Sequence, residues 1–170
     1  LKKSDEKGWE IVFVDTGEET LKGGRIKRLE KYINTDSFHL TYGDGIADVN
    51  LSNLVEFHRS HDKIGTVTAV RPPSRFGELN IKEDNTIISL EEKPQMGQGM
   101  INGGFFVFNK EMLSYLSSKD TCDFEFGPLQ QICEDEQLKA FIHNGFWQCM
   151  DNVRERDYLE SHVKEKTAPW

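Results

Sequence analysis

The chain reads as an α/β protein built on a mixed, mostly parallel sheet flanked by helices, and three observations predict it. A run with helical apolar spacing, Leu54-Val55-Glu56-Phe57-His58, lies between two strand-like runs, Phe38 to Tyr42 and Gly65 to Val70. Such a β-α-β unit implies neighbouring parallel strands. Residues 76–92 hold two short alternating runs about an Asp84-Asn85 turn, an antiparallel excursion from that sheet. Met100 to Phe108 is the most apolar run in the chain, as expected of a central strand buried on both faces. With no internal repeat, low-complexity segment or linker, residues 1–170 are taken as a single domain.

Each element has its own local reason. Trp9-Glu10-Ile11-Val12-Phe13-Val14-Asp15 has the β-branched and aromatic content of a strand, and Asp15-Thr16-Gly17 ends it with turn chemistry. Thr20 stands where a helix cap belongs, and Ile26, Leu29 and Ile33 repeat at the spacing of a short amphipathic helix. Gly23-Gly24 at the opening of that helix, with Arg25 behind it, offers backbone N–H groups to an anion; the same residues also suit a plain loop-to-helix junction. Asn50 or Ser52 caps the next helix. His58 and His61 share one of its faces but have no cysteine or third histidine near them in sequence, so they read as solvated surface residues rather than as metal ligands. Pro72-Pro73 stops the strand at 65–70, and Gln95 to Gly99 is a polar loop. Lys110 to Leu116 and Pro128 to Cys133 are helical segments, Leu138 to His143 is a strand, and Asn152 to Lys166 carries a long helical pattern.

Composition removes several function classes. A net charge of −8 with 29% charged residues, and no basic run to track a phosphate backbone, argues against nucleic acid as a partner. No apolar stretch approaches the roughly 18 residues of a membrane span, and the first residues lack the apolar core of a signal peptide, so a cytoplasmic protein is expected. Cys122, Cys133 and Cys149 are odd in number and lack CxxC spacing, which suggests neither a disulfide framework nor a zinc knuckle. The chain starts without methionine and enters a strand-like run almost at once, an arrangement expected of the later part of a longer polypeptide.

Chemistry-bearing residues gather at the ends of these elements. Asp44 sits between Gly43 and Gly45 where an apolar run stops, either an ordinary Asp-Gly turn or a carboxylate left open to a divalent cation. Asp151 closes the run Phe146-Trp147-Gln148-Cys149-Met150, either as a helix cap or as a second such carboxylate. Glu92-Lys93 precedes Pro94 at a strand end, Asn102-Gly103 opens the most apolar strand, and Arg25 follows the glycine pair. Two carboxylates from separate strand ends can share one Mg²⁺ that takes its other ligands from water and phosphate, and Lys and Arg can neutralise phosphate charge.

The ordered set Thr20 to Arg25 with Gly-Gly-Arg, Tyr42-Gly43-Asp44-Gly45, Phe76-Gly77, Glu92-Lys93-Pro94, Ile101-Asn102-Gly103-Gly104-Phe105-Phe106 and Phe146-Trp147-Gln148-x-Met150-Asp151 closely resembles the sugar-1-phosphate nucleotidylyltransferases, and among them those that use CTP and glucose-1-phosphate. The resemblance covers nearly the whole chain. It implies a Rossmann-like fold, a Mg²⁺-dependent transfer that makes CDP-glucose and pyrophosphate, and a homo-oligomeric assembly. On matching positions it implies Asp44 and Asp151 as Mg²⁺ ligands, Lys93 on the sugar phosphate, Gly43 against the nucleotide, and Glu92, Asn102 and Gly103 on the sugar. Thr20 and Arg25 match positions that touch substrate, within the subunit or across a subunit contact. Two departures stand out: the family's Gly-Gly-x-Gly-Thr-Arg loop, with the lysine beside prolines that follows it, is absent from this sequence, and Cys149 stands where proline is expected. The first implies that this chain alone is impaired. Rival expectations are a UTP- or dTTP-dependent transferase of the same family, or a catalytically silent domain for sugar-nucleotide binding or subunit contact.

Overall fold

The protein is described by a computed structural model covering residues 8–72, 78–91 and 99–170. In chain order its elements are α1 (Lys22–Arg28), β1 (Ser37–Thr41), β2 (Gly45–Ala47), α2 (Leu51–Arg59), β3 (Gly65–Val70), β4 (Glu78–Ile81), β5 (Ile87–Glu91), β6 (Ile101–Asn109), α3 (Gln130–Glu134), β7 (Leu138–His143), β8 (Trp147–Cys149) and α4 (Val153–Glu165). A 3₁₀ segment, Lys110–Tyr115, follows β6.

The main sheet has the order β1-β6-β3-β7. β1, β3 and β7 run one way, and β6 runs against them between β1 and β3. The β-α-β reading therefore holds in direction but not in adjacency. β1 and β3 are parallel, yet the most apolar strand has inserted between them. The reason is burial: Phe106, Val107 and Phe108 are 0%, 1% and 0% exposed, and only a central position covers both faces of a strand and pairs both its edges.

On one face, Phe106 and Phe108 stack at 5.4 Å, and Phe124 meets them edge-on at 5.6 and 6.2 Å. Ile26 of α1, Met112, Leu113, Leu116 and Ile132 of α3 complete this core. On the other face lies α2, whose Asn50 cap accepts from the Asn53 N–H at 3.0 Å. The helix sends His58 onto the sheet, where it is 3% exposed.

His58 corrects the surface reading. Its Nε2 lies 3.0 Å from Asn109 Oδ1, and the Asn109 amide nitrogen donates to Lys63 O. An amide oxygen can only accept, so Nε2 donates to it, and in that tautomer Nδ1 accepts from Thr66 Oγ1 at 2.9 Å. That hydroxyl has spent its proton, so His61 Nε2 donates to it at 2.9 Å, and His61 Nδ1 accepts from Lys63 N–H. Five hydrogen bonds thus start and end on Lys63. The sequence shows the histidines but not β6, whose Asn109 makes one of them an interior residue.

Residues 9–15 correct a second expectation. They make no strand, and no backbone–backbone hydrogen bond joins them to the rest of the described residues. Trp9, Ile11 and Phe13 are 74%, 69% and 92% exposed. Strand propensity reflects fit to a packed, pleated neighbour, and no described strand lies alongside. The turn that follows does form: Gly17 has φ +87°, and its N–H donates to Asp15 Oδ1 at 2.9 Å.

Two small units complete the fold. β4 and β5 make the expected antiparallel hairpin, with Asn85 in the left-handed region at φ +65°. β2 and β8 pair antiparallel, Gly45 opposite Cys149, a ribbon that the short run after Asp44 does not announce in sequence. The ribbon is tied to β6 by the Trp147 indole, which donates to Gly103 O at 2.8 Å. A Cβ on Gly103 would lie 2.8 Å from Val70 Cγ1 and 3.0 Å from Thr68 O, so the glycine is there for close packing.

Candidate active site

At the end of β1 the chain turns through Tyr42-Gly43-Asp44 into β2, beside an open concavity of about 410 Å³. Lys22, Arg25 and Ile26 of α1 line one side, Thr41 to Asp44 line another, and Phe124 closes the bottom. The position, just beyond the carboxyl end of a strand, is where α/β sheets collect ligands. A Cβ on Gly43 would meet nothing within 4 Å, so the backbone beside Asp44 is open to a ligand.

The glycine pair of α1 has a packing role. A Cβ on Gly23 would lie 2.5 Å from Asp123 O, and one on Gly24 would lie 2.5 Å from Lys119 O. The Gly24 N–H donates to Cys122 O at 3.0 Å, so it is not free for an anion. Leu21, not Thr20, occupies the cap position of α1. Thr20 is 4% exposed, donates to Asp120 Oδ1 at 2.9 Å and accepts from Arg28 Nη1 at 2.7 Å. Arg28 also pairs with Asp120 at 2.7 Å, and its hydrogen bond is the first of the causes that hold that carboxyl below the usual range. Arg25 faces the concavity while donating to Thr16 Oγ1 and Glu18 O, each at 2.8 Å, and its fork has further N–H groups to offer.

Asp44 and Asp151 are brought to one end of the β2–β8 ribbon. The Met150 N–H donates to Asp44 O at 2.9 Å, which continues the ladder one step beyond Gly45 and Cys149. Helix capping does not consume Asp151. The cap of α4 is Asn152, whose Oδ1 accepts from the Glu155 N–H at 3.0 Å, while the exposed Asp151 gives its N–H to Glu155 Oε2 at 2.8 Å. Ligating atoms of Cys149, Asp151 and Glu155 lie within 4.8 Å of one another. Burial, and then the Glu155 charge, push the Cys149 thiol up to about 11, so at neutral pH it is not a thiolate. The charged donors left are carboxylate oxygens, which suit a hard divalent cation such as Mg²⁺.

Asn102 and Gly103 stand at the start of β6. Asn102 Nδ2 donates to the Tyr42 hydroxyl at 3.1 Å, and Asn102 Oδ1 accepts from the Gly104 N–H at 2.9 Å. Tyr42 donates to Glu125 Oε1 at 2.7 Å, and Lys22 forms an ion pair with the same oxygen. Burial, then this bond to Glu125, raise the Tyr42 hydroxyl far above its ordinary value. Lys22, Tyr42 and Glu125 were not singled out from sequence. Tyr42 lies inside a motif marked by its acid, and Glu125 is 83 residues away from it along the chain. Lys93, Glu92 and the Phe76-Gly77 pair lie outside the described residues.

Comparison with known proteins gives these features a context. Residues 8–165 match the model of a family described as nucleotidyl transferase. A glucose-1-phosphate cytidylyltransferase of Salmonella typhimurium is 42% identical over 163 residues, covering 95% of this chain and 63% of the relative. A probable glucose-1-phosphate cytidylyltransferase of Bacillus subtilis is 38% identical over 146 residues, covering 86% of this chain and 57% of the relative. The chain thus spans less than two thirds of the length of these relatives. Among solved structures, HddC from Yersinia pseudotuberculosis complexed with GMP-PN is similar at 25% identity with a TM-score of 0.58, over 87% of this chain and 64% of that one. A putative glucose-1-phosphate thymidylyltransferase from Bacillus anthracis in complex with a sucrose shares the fold at 19% identity with a TM-score of 0.59, over 86% of this chain and 62% of that one. Sequence and fold agree that the chain belongs to the nucleotidyl transferase family.

Proposed function

We propose that this chain supplies part of the site for a nucleotidyl transfer from CTP to glucose-1-phosphate. The observation that carries the reading is that Asp44 and Asp151 stand at one end of the β2–β8 ribbon, with Asp44 lining a concavity that also presents Lys22 and Arg25. A phosphate oxygen of the sugar attacks the α-phosphorus of CTP, the bond from that phosphorus to the bridging β-oxygen breaks, and pyrophosphate leaves with the electron pair. Held by Asp44 and Asp151, Mg²⁺ would offset phosphate charge. Lys93 follows the sugar phosphate as a mobile point charge, Arg25 adds its remaining N–H groups, and Gly43 lets the nucleotide lie on the backbone. Glu92, Asn102 and Gly103 meet the sugar, and Thr20 acts from inside the fold by bridging Arg28 of α1 to Asp120. No helix among the described residues is long and apolar enough to cross a membrane. A cytoplasmic homo-oligomer is the setting we propose.

Calorimetric titration with CDP-glucose and Mg²⁺ tests the reading. Asp44→Ala and Asp151→Ala should each weaken binding at least about 10-fold, with UDP-glucose and dTDP-glucose as weaker competitors. Equal binding by the two variants and the unaltered chain, or none by any of them, overturns it.

A further inference from the structure

A line of polar groups runs beside the concavity, and the reaction outlined above makes no use of most of it. Gly104 N–H donates to Asn102 Oδ1, Asn102 Nδ2 donates to Tyr42 Oη, Tyr42 Oη donates to Glu125 Oε1, and Lys22 pairs with that oxygen. Every donor from Gly104 to Tyr42 points the same way along the line, and the chemistry of its end sets the direction. An ionised carboxylate only accepts, so Tyr42 must give its proton to Glu125 and offer a lone pair to the Asn102 NH₂. The Asn102 oxygen is then left for Gly104. Turning the amide over would set NH₂ against an N–H, and a carbonyl oxygen against a hydroxyl whose proton is spent.

The tyrosine has no room to adjust. Gly104 holds φ +82°, and a Cβ there would lie 2.7 Å from Tyr42 Cδ2, so the ring rests on bare backbone. Phe106 meets the ring edge-on at 5.7 Å, and the Lys22 ammonium sits 5.3 Å from its centroid. Lys22 neutralises Glu125 and also covers the ring, so one side chain fastens both ends of the Tyr42–Glu125 bond. The raised Tyr42 hydroxyl keeps its proton across the physiological range.

We propose that Glu125 is a positioning residue for sugar recognition: through Tyr42 it locks the Asn102 amide in one orientation. The amide then presents one unused N–H and one unused oxygen lone pair, in fixed order, to vicinal hydroxyls of a hexose. What the amide meets rests on the sugar-phosphate reading above, whereas how it is held does not.

Two measurements on the same chain separate those parts. Calorimetry compares CDP-glucose with CDP, and ¹⁵N NMR follows hydrogen exchange of the Asn102 side-chain amide. Tyr42→Phe and Glu125→Ala should each weaken CDP-glucose about 10-fold while leaving CDP within about twofold, and the double variant should lose no more than the worse single one. Glu125→Gln keeps a carbonyl acceptor for Tyr42 and should stay within about threefold of the unaltered chain. Asn102 amide protection should fall in Tyr42→Phe and Glu125→Ala and persist in Glu125→Gln. Equal loss of CDP-glucose and CDP overturns the proposal, as does Glu125→Gln behaving like Glu125→Ala, or unchanged Asn102 exchange in Tyr42→Phe. If the unaltered chain binds no CDP-glucose, the functional reading fails by itself, and the Asn102 exchange then decides the positioning.

Discussion

β6 and the segment from Trp9 to Val14 are both rich in aromatic and β-branched residues, and they end in opposite states. β6 has a strand on each side and helices over each face, and its Phe106 and Phe108 are out of water. Trp9, Ile11 and Phe13 have no ladder among the described residues and stand in solvent. Propensity tells what a segment tolerates, and pairing decides what it becomes. Stability should therefore depend steeply on one run and almost not at all on the other.

The largest expected effect tests that contrast directly. Phe106→Ala removes the ring between Phe108, Phe124 and Tyr42 and should cost about 3–5 kcal/mol in urea denaturation. A loss below about 1 kcal/mol would place β6 on the same footing as residues 9–14. Thr66→Val comes next. It leaves His58 Nδ1 without a donor and His61 Nε2 without an acceptor, at a cost of about 2 kcal/mol. That result would show that the buried side of the contrast depends on polar satisfaction as well as on apolar area.

Acidification probes the same face. Burial, and then His58, hold the His61 imidazole below the ordinary histidine value, and the same two causes act on His39. Around His61, Lys139 and Lys63 further favour its neutral form, and Asp62 opposes them. The unfolded chain then takes up protons that the folded chain refuses. This part of the stability is complete above about pH 6.5 and is lost as the pH falls through the lowered values. Melting temperature should drop between pH 7.5 and pH 5, and less so in His61→Gln. The smallest effect belongs to Phe13→Ser, at 92% exposure, which should change stability by less than about 0.5 kcal/mol.

Much of this was legible locally. The Asn50 cap, the Asp84-Asn85 hairpin turn, the central strand and the long α4 follow from residue type and spacing within a few positions. The failures required knowing what lies across the sheet. His58 of α2 is interior because Asn109 and Thr66 arrive from two strands. Gly23 and Gly24 are small because the loop at 119–123 presses on α1. The acids are similar: Asp44 and Asp151 each stand at a strand end, but the ribbon that aligns them comes from pairing β2 with β8, far along the chain. Glu125 reads in sequence only as one of two acids near a helix start, since nothing near it marks a carboxylate that accepts a hydrogen bond from a tyrosine 83 positions upstream.

The uncovered run at Trp9 to Val14 also bears on how copies of this chain behave toward one another in solution. An apolar segment whose backbone groups pair with nothing among the described residues attracts its like, and a net charge of −8 drives the copies apart. The repulsion reaches about 30 Å at 0.01 M ionic strength and only about 8 Å at 0.15 M, whereas the attraction acts at contact and is not screened. The molecule is thus colloidally protected by the carboxylates spread over its surface, and that protection thins as salt is added while the fold itself is unchanged.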